Sequence, residues 1–198
     1  MRIGVMGGSF NPVHVGHLAV ADHVKRQAGL DRVLLMLSPL NPLKAGSIDL
    51  ISDTHRFAML KIACQPYIDI QACDLELTMP QPSYTINTLR RLQDLLGPDA
   101  EISLIIGEDN WRLFDRWRAH DEILRDYNVI VYPRNGEDGA SSIAAVSEGR
   151  PQVIAAPTVD ISSTEIREAI ASGLDVNKYL PEGVFQYIKD NNLYGFNT

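Results

Sequence analysis

Residues 7–17 read Gly7-Gly8-Ser9-Phe10-Asn11-Pro12-Val13-His14-Val15-Gly16-His17, and this stretch decides how the chain begins to fold. A short apolar run, Ile3–Met6, precedes it, and a helical pattern, Leu18–Gln27, follows it. Glycines let the backbone pass close to a bulky ligand, and the start of a helix offers unpaired N–H groups and positive dipole to an anion. His14 and His17 add donors, and an imidazole can be charged or neutral near pH 7. This stretch, called the glycine-histidine turn below, predicts a phosphate site between a strand and a helix.

Short apolar runs alternate with amphipathic segments along the whole chain. The runs predict strands over Arg2–Met6, Arg32–Leu37, Ile68–Ala72, Ile102–Ile106, Asn128–Tyr132 and Gln152–Ala155. The other segments predict helices over His17–Ala28, Asp53–Ala63, Tyr84–Leu96, Asn110–Trp117, Asp121–Asp126, Ser141–Ser147, Ser163–Ala171 and Pro181–Asn191. This alternation predicts an α/β fold: a Rossmann-like doubly wound parallel sheet flanked by helices, with a small C-terminal helical portion. Ligands of such sheets bind beyond the carboxyl ends of the strands, where the glycine-histidine turn lies.

Composition narrows the class of protein. A chain of 198 residues suits one domain, residues 1–198. The net charge of −7 argues against a general nucleic-acid binder. The sequence shows neither a leader pattern nor an apolar run approaching the roughly 18 residues that span a membrane, so we expect a cytoplasmic protein without a membrane partner. Cys64 and Cys73 are expected to be free thiols, and Asn135–Ser142 is predicted to be a mobile loop.

Two common nucleotide-binding motifs are missing after the first strand. Neither G-x-G-x-x-G nor G-x-x-x-x-G-K-[ST] occurs there. His14 and His17 could instead cap a helix or lie in the core, and a zinc site would need further ligands that are not found at the usual spacing. Their place in a glycine turn favours phosphate binding by histidine.

A second candidate site is Ile161-Ser162-Ser163-Thr164-Glu165-Ile166-Arg167, after the last predicted strand. Ser162 and Glu165 have the spacing of a capping box, which explains both residues structurally. Arg167 is not explained, because the helix dipole disfavours a cation near a helix N-terminus. A bound anion would compensate and could use the hydroxyls of Ser163 and Thr164. We therefore predict a second phosphate clamp.

The two stretches together resemble the motifs of a known superfamily. The glycine-histidine turn looks like the H-x-G-H signature of nucleotidyltransferases, and residues 161–167 look like its I-S-S-T-x-x-R partner. With both in this order, the chain resembles the bacterial nicotinate-nucleotide adenylyltransferases nearly from end to end. Further matching segments are Asn41–Lys44, Pro82–Thr85, Ile105–Asp109 and Arg116–Trp117.

The resemblance implies a reaction and a set of roles. The family joins nicotinate mononucleotide to ATP, giving deamido-NAD and pyrophosphate with Mg²⁺ carried by the ATP phosphates, and no metal ligands are expected from the protein. His14 and His17 would be the catalytic residues, with His17 nearest the α-phosphate. The remaining ATP contacts that the resemblance implies are Gly7, Gly8, Ser9 and Phe10 in the cleft, Asp109 at the adenosine or its ribose, and Ser163, Thr164 and Arg167 at the β- and γ-phosphates.

Three residues would bind the mononucleotide by the same resemblance. Lys44 would meet its phosphate, Thr85 would offer a backbone amide to the nicotinate carboxylate, and the ring of Trp117 could stack on the pyridine. Without the resemblance, Lys44 reads as a solvated loop lysine and Trp117 equally well as a structural tryptophan. The choice between nicotinate and nicotinamide mononucleotide stays open, as does the oligomeric state, a homo-oligomer included.

This chain departs from the family pattern at three positions. Many members carry His where Leu43 stands, Asp where Asn11 stands, and a small residue where Glu108 stands. Two alternative functions remain at this point. One is a sister enzyme of the same fold, such as a phosphopantetheine adenylyltransferase or a cytidylyltransferase, and the other is a non-catalytic nucleotide sensor.

Overall fold

A computed structural model describes residues 1–39, 50–133, 151–157 and 161–196. Four of the sequence predictions lie outside these residues. They are the mononucleotide contact Lys44 with its segment Asn41–Lys44, the loop Asn135–Ser142 and the helix Ser141–Ser147.

The centre of the fold is one six-stranded sheet in which every neighbouring pair is parallel. Its strands are β1 (Arg2–Gly8), β2 (Arg32–Leu37), β3 (Ile70–Cys73), β4 (Glu101–Gly107), β5 (Asn128–Tyr132) and β6 (Gln152–Val153). Their order is β3-β2-β1-β4-β5-β6. The predicted α/β doubly wound sheet is thus confirmed. The order reverses direction between β1 and β4, which makes their carboxyl ends the topological switch point.

Helices connect the strands and close the chain. They are α1 (Val15–Ala28), α2 (Asp53–Cys64), α3 (Thr85–Leu96), α4 (Glu108–Trp111), α5 (His120–Asp126), α6 (Ser163–Ala171) and α7 (Val184–Asp190). Short 3-10 turns lie at Leu75–Thr78, Phe114–Arg116, Asn177–Tyr179 and Leu193–Gly195. The bounds of β2, β5 and α6 equal the predicted ones, and the other predicted elements within the described residues differ at one or both ends.

One predicted helix is wrong as a continuous element. The segment expected to be helical over Asn110–Trp117 is α4 followed by the 3-10 turn Phe114–Arg116. The buried ring of Phe114 lies between two indoles, with centroids 5.0 Å from Trp111 and 5.3 Å from Trp117. Tertiary packing of these three rings outweighs the local helical preference.

Both faces of the sheet are buried, each under its own hydrophobic cluster. Alternate residues of a strand enter opposite clusters: Leu35 faces α1, α2, α6 and α7, whereas Leu34 faces α3 and α5. This explains why the strands read as continuous apolar runs rather than as alternating patterns. Within the part of the chain that is described, no helix is long and apolar enough to cross a membrane.

Neither described cysteine is in a disulfide, as predicted. Cys64 is buried and Cys73 half-buried. Burial raises the pKa of the Cys64 thiol to about 12, because a thiolate loses its hydration in the core. Both thiols therefore behave as small apolar side chains.

Candidate active site

The glycine-histidine turn leaves the carboxyl end of β1 at the switch point. A cavity of about 170 Å³ opens at the same edge of the sheet. It is lined by the carboxyl ends of β1, β2 and β4, by the residues that begin α3, and by the segment Arg116–Arg118. Gly7, Gly8 and Ser9 of the turn lie on its wall, as does Thr85. The structure therefore brings some of the predicted contacts for each substrate to one pocket, whereas the cavity lining does not include the two histidines, Asp109 or the residues of the second motif.

The ring of Phe10 packs against Gly8 in the glycine-histidine turn. Phe10 is only 1% exposed, so its ring belongs to the core and does not line the cavity as predicted. A Cβ on Gly8 would lie 2.9 Å from that ring, closer than a side chain tolerates. Phe10 has a φ of +43°, which is strained for a residue with a side chain. The same ring meets the His17 imidazole edge to face at 5.0 Å and so supports it.

His14 and His17 lie together at the start of α1. Their ring centroids are 3.8 Å apart, and His14 is the residue that caps the helix. The backbone N–H of His14 donates to Nδ1 of His17 at 3.2 Å. Because Nδ1 is an acceptor, a neutral His17 ring carries its proton on Nε2. The two histidines therefore do cap the helix, as one of the alternatives expected. The same hydrogen bond leaves the proton of a neutral His17 on Nε2, where a phosphate contact would need it.

The second motif forms the predicted capping box at the start of α6. The Glu165 N–H donates to Ser162 Oγ at 3.2 Å, and the Ser162 N–H donates to Glu165 Oε2 at 2.7 Å. The hydrogen bonds from Ser162 lower the pKa of Glu165 below its ordinary value. The box fixes the first turn of α6 and leaves the neighbouring residues of the motif to contact other parts of the chain.

Two side chains of α6 bond directly to the glycine-histidine turn. Ser163 Oγ donates to the carbonyl of Pro12 at 2.9 Å, and Arg167 Nη1 donates to the carbonyl of Asn11 at 2.9 Å. Arg167 Nη2 also reaches Thr164 Oγ1, at 3.4 Å. Segments about 150 residues apart in sequence therefore form one unit. The Ser163 proton is engaged by this contact, whereas the exposed Thr164 accepts from Arg167 and keeps its own proton for another partner.

Tyr194 also contacts this turn, and sequence reasoning missed it. It lies in the 3-10 turn Leu193–Gly195, and its hydroxyl donates to Asn11 Oδ1 at 3.0 Å. Burial raises the pKa of the Tyr194 phenol well above its ordinary value, so the hydroxyl keeps its proton for Asn11. The C-terminal segment thus positions the turn at a residue where many family members carry Asp. A lone tyrosine near a chain end gives no signal in the sequence.

The other side of the pocket carries rings and cations. Trp117 lies on the wall between Arg116 and Arg118. The guanidinium of Arg118 lies 4.8 Å from the centre of the Tyr84 ring. Tyr84 precedes Thr85 in the sequence. This contact joins the tryptophan segment to the start of α3. The indole Nε1 of Trp117 is buried and has no hydrogen-bond partner among the described residues, which leaves a donor to be satisfied there.

Asp109 lies at the rim, at the carboxyl end of β4. It is exposed in α4, and its Oδ1 would lie 2.6 Å from a Cβ on Gly107. Gly107 lines the cavity, so a side chain there would displace the carboxylate. Glu108, where the family pattern has a small residue, is buried and pairs with Arg112 at 2.6 Å. The buried carboxylate of Glu108 is thus compensated by the Arg112 guanidinium.

Arg56 is a further residue that the sequence did not reveal. Its guanidinium is fully buried in α2, and it donates to the carbonyls of Ser9 at 2.6 Å and Ser38 at 3.0 Å. It also pairs with Asp53. Arg56 therefore fixes the glycine-histidine turn against the end of β2. Both of these partners are backbone carbonyls, and a carbonyl is present at every residue, so the sequence gives no sign of the contact.

The comparisons with known proteins agree on the family. The sequence profile of the family described as cytidylyltransferase-like matches residues 5–169. A protein of Flavobacterium johnsoniae named probable nicotinate-nucleotide adenylyltransferase is 41% identical over 194 residues, covering 98% of this chain and 99% of that protein. One of Bacteroides thetaiotaomicron with the same name is 38% identical over 193 residues, covering 96% and 92%.

Solved structures support the fold. The structure of Plasmodium falciparum nicotinic acid mononucleotide adenylyltransferase complexed with NaAD has a TM-score of 0.76 and covers 99% of this chain and 98% of that one. The same enzyme complexed with APC gives a TM-score of 0.75 over similar coverage. Each is 21% identical to this chain, so the likeness concerns the fold.

Proposed function

The chain belongs to the cytidylyltransferase-like family, and we propose that within it the protein is a nicotinate-nucleotide adenylyltransferase. It transfers the adenylyl group of ATP to nicotinate mononucleotide, giving deamido-NAD and pyrophosphate in NAD biosynthesis. Relatives about 40% identical over nearly their whole length carry this activity in their names. The family description alone also includes the sister enzymes, and the names of these relatives favour the adenylyltransferase.

One observation of the structure carries the site assignment. Arg167 and Ser163 bond to the carbonyls of Asn11 and Pro12, so the helix of the second motif is fixed against the glycine-histidine turn. The turn also lines the cavity that holds Thr85 and Trp117. This arrangement supports the proposal, because adenylyl transfer between two nucleotides requires phosphate-binding elements next to an acceptor pocket, and sheets of this kind bind ligands at the topological switch point.

The chemistry asks for alignment and charge neutralisation more than for covalent catalysis. A phosphate oxygen of the mononucleotide forms a bond to the α-phosphorus of ATP while the bond to the leaving pyrophosphate oxygen breaks. In our proposal, His17 donates from Nε2 to the α-phosphate as charge builds there, with His14 beside it. Thr164 and Arg167 hold the β- and γ-phosphates. The backbone of Gly7–Ser9 leaves room for the nucleotide.

We propose that Mg²⁺ arrives with the ATP phosphates. Among the described residues, no group of three or more His, Cys, Asp or Glu side chains could hold a metal. Mg²⁺ usually keeps several waters and is bound through substrate phosphates. When bound, Mg²⁺ neutralises phosphate charge, and the protein supplies the amides and cations described above.

We also propose contacts to the mononucleotide and to adenosine, from the family resemblance and the positions of these residues at the carboxyl end of the sheet. Trp117 stacks on the pyridine, Thr85 presents its backbone amide to the carboxylate, and Asp109 lies at the adenosine end. Lys44, outside the described residues, is proposed to meet the mononucleotide phosphate. The chain is further proposed to form one domain, 1–198, and to act in the cytoplasm; light scattering of the purified protein will show whether it forms a homo-oligomer.

A pyrophosphate-release assay tests the function directly. The protein is incubated with ATP, Mg²⁺ and either nicotinate or nicotinamide mononucleotide, in parallel with phosphopantetheine. We expect release with nicotinate mononucleotide and the dinucleotide as product. Activity with phosphopantetheine alone would overturn the proposal, and ATP binding without any release would identify a nucleotide sensor.

A further inference from the structure

A buried carboxylate with three hydroxyl partners forms one wall of the pocket. Glu76, in the 3-10 turn after β3, is only 7% exposed. Its Oε2 accepts from Ser38 Oγ and Ser83 Oγ, both at 2.9 Å, and its Oε1 accepts from Thr88 Oγ1 at 2.8 Å. All four residues line the cavity. This set, Ser38, Glu76, Ser83 and Thr88, is called the hydroxyl wall below.

The direction of these bonds decides what the wall can bind. A serine or threonine hydroxyl has one proton and two lone pairs, and each of these three protons points at the carboxylate. The hydroxyl oxygens are left with lone pairs alone, and the carboxylate itself only accepts. The hydroxyl wall therefore offers hydrogen-bond acceptors to the pocket. It suits a ligand group that donates and disfavours an anionic one.

The two arginines of the pocket belong to the segment that follows β4, and Arg118 also reaches the Tyr84 ring, next to Ser83. Ser38 and Glu76 follow β2 and β3, whereas Arg116 and Arg118 follow β4, on the other side of β1. Neither arginine makes an ion pair or a side-chain hydrogen bond to any residue in the described ranges. Negative groups of a ligand are therefore attracted to the two guanidinium groups, and donor groups to the acceptor oxygens of the hydroxyl wall.

A nicotinate mononucleotide has both kinds of group. Its phosphate and carboxylate are anionic, and its ribose carries two hydroxyls that can donate. We propose that the hydroxyl wall receives the ribose hydroxyls of the acceptor mononucleotide and that Glu76 is the positioning residue that directs the protons of the wall. This inference rests on the proposed function and adds a contact for a part of the substrate to which none of the predicted residues is assigned.

The hydroxyl wall is also fixed relative to the ATP side. Arg56 donates to the carbonyl of Ser38, whose side chain belongs to the wall, and to the carbonyl of Ser9 in the glycine-histidine turn. The acceptor ribose would thus be held at a set distance from the phosphate-binding turn. In-line attack depends on such alignment of the two nucleotides.

The test combines Glu76→Gln with substrates that lack one ribose hydroxyl. Glutamine keeps the volume of the side chain but turns one acceptor oxygen into a donor, which reverses at least one hydroxyl. With the wild type, replacing nicotinate mononucleotide by its 2′-deoxy or 3′-deoxy analogue should lower kcat/KM about tenfold, the effect of one hydrogen bond to a charged network. In Glu76→Gln the same replacement should cost less than about threefold, since the contact is already lost.

Controls separate this role from a structural one. The KM for ATP of Glu76→Gln should stay within about twofold of wild type, and Glu182→Gln, an exposed glutamate in the C-terminal part, should behave as wild type throughout. Ser83→Ala, which removes one hydroxyl and no charge, provides a second variant if Glu76→Gln folds poorly. It should reduce the penalty for a missing ribose hydroxyl in the same direction.

The outcomes are distinguishable. Equal deoxy-substrate penalties in the wild type and in both variants, or a parallel rise in both KM values, would overturn the hydroxyl-wall proposal while leaving the adenylyltransferase activity in place. A wild-type protein that releases no pyrophosphate with nicotinate mononucleotide would overturn the proposed function, and this inference with it.

Discussion

The two sides of the pocket are built by different kinds of interaction. On the ATP side, side chains from distant segments bond to the backbone of the glycine-histidine turn: Ser163 and Arg167 to its carbonyls, and Arg56 to the carbonyl of Ser9. On the acceptor side, the contacts join side chains, as in the hydroxyl wall and the Arg118–Tyr84 stack. If the proposed roles are correct, the bonds to backbone carbonyls position the turn for the triphosphate, and the side-chain contacts select the acceptor.

Substitutions on the two sides of the pocket should affect different kinetic constants. Changes on the ATP side should alter kcat or the KM for ATP, and changes on the acceptor side should alter the KM for the mononucleotide. A substitution that affects both substrates equally would mean that the two sides are not separate.

The largest effect is expected for His17→Ala. Removing a preorganised donor at the reacting phosphate should lower kcat by roughly 10²–10³. Steady-state pyrophosphate release measures it, with His23→Ala, in the same helix α1, as the matched control. An unaltered kcat would remove His17 from the chemistry and leave it as part of the helix cap.

Trp117→Ala should give the next largest effect, on the other side of the pocket. Loss of stacking on the pyridine should raise the KM for nicotinate mononucleotide about 10–100-fold, because stacking of a base on an aromatic side chain contributes about 1–3 kcal/mol. Trp117→Phe should recover part of the loss. Initial rates over a range of each substrate give both KM values, and an equal rise in the KM for ATP would contradict the separation of the two sides.

Arg167→Ala is expected to raise the KM for ATP about tenfold, since it removes the proposed charge-assisted contact to a phosphate. The matched control is Arg125→Ala, an exposed arginine whose described partner is the neighbouring Asp126. Unchanged ATP kinetics would limit Arg167 to its bond with the Asn11 carbonyl.

The smallest effect is expected for Tyr194→Phe, which removes one hydrogen bond to Asn11. The free energy of unfolding should fall by about 1 kcal/mol, and the Tm by about 2–4 °C for a chain of this size. The KM for ATP should rise a few-fold as the turn loses a support. Tyr187→Phe, which loses a hydroxyl contact with His55 at 3.0 Å, should lower the Tm similarly without changing the KM for ATP. If both variants change the KM for ATP alike, Tyr194 has no special link to the turn.

Several parts of this molecule could be predicted from local sequence. Leu34 and Leu35 lie in a continuous apolar run, and a parallel sheet buries both faces of such a strand. Ser162 and Glu165 have the spacing that a capping box requires, and they form one. The break in the predicted helix Asn110–Trp117 could not be found in the same way, because it depends on ring packing around Phe114.

The sequence alone determined the alternation of strands and helices, the place of the glycine-histidine turn after β1, and the family, because these depend on periodicity and on residues close together in the chain. Only the tertiary structure decided that Arg167 and Tyr194 meet at Asn11, that Arg56 fixes Ser9 against Ser38, and that three hydroxyls surround Glu76. The physical reason is that buried carbonyls and carboxylates must find partners wherever the fold brings donors to them. Such pairings join residues that no local pattern connects.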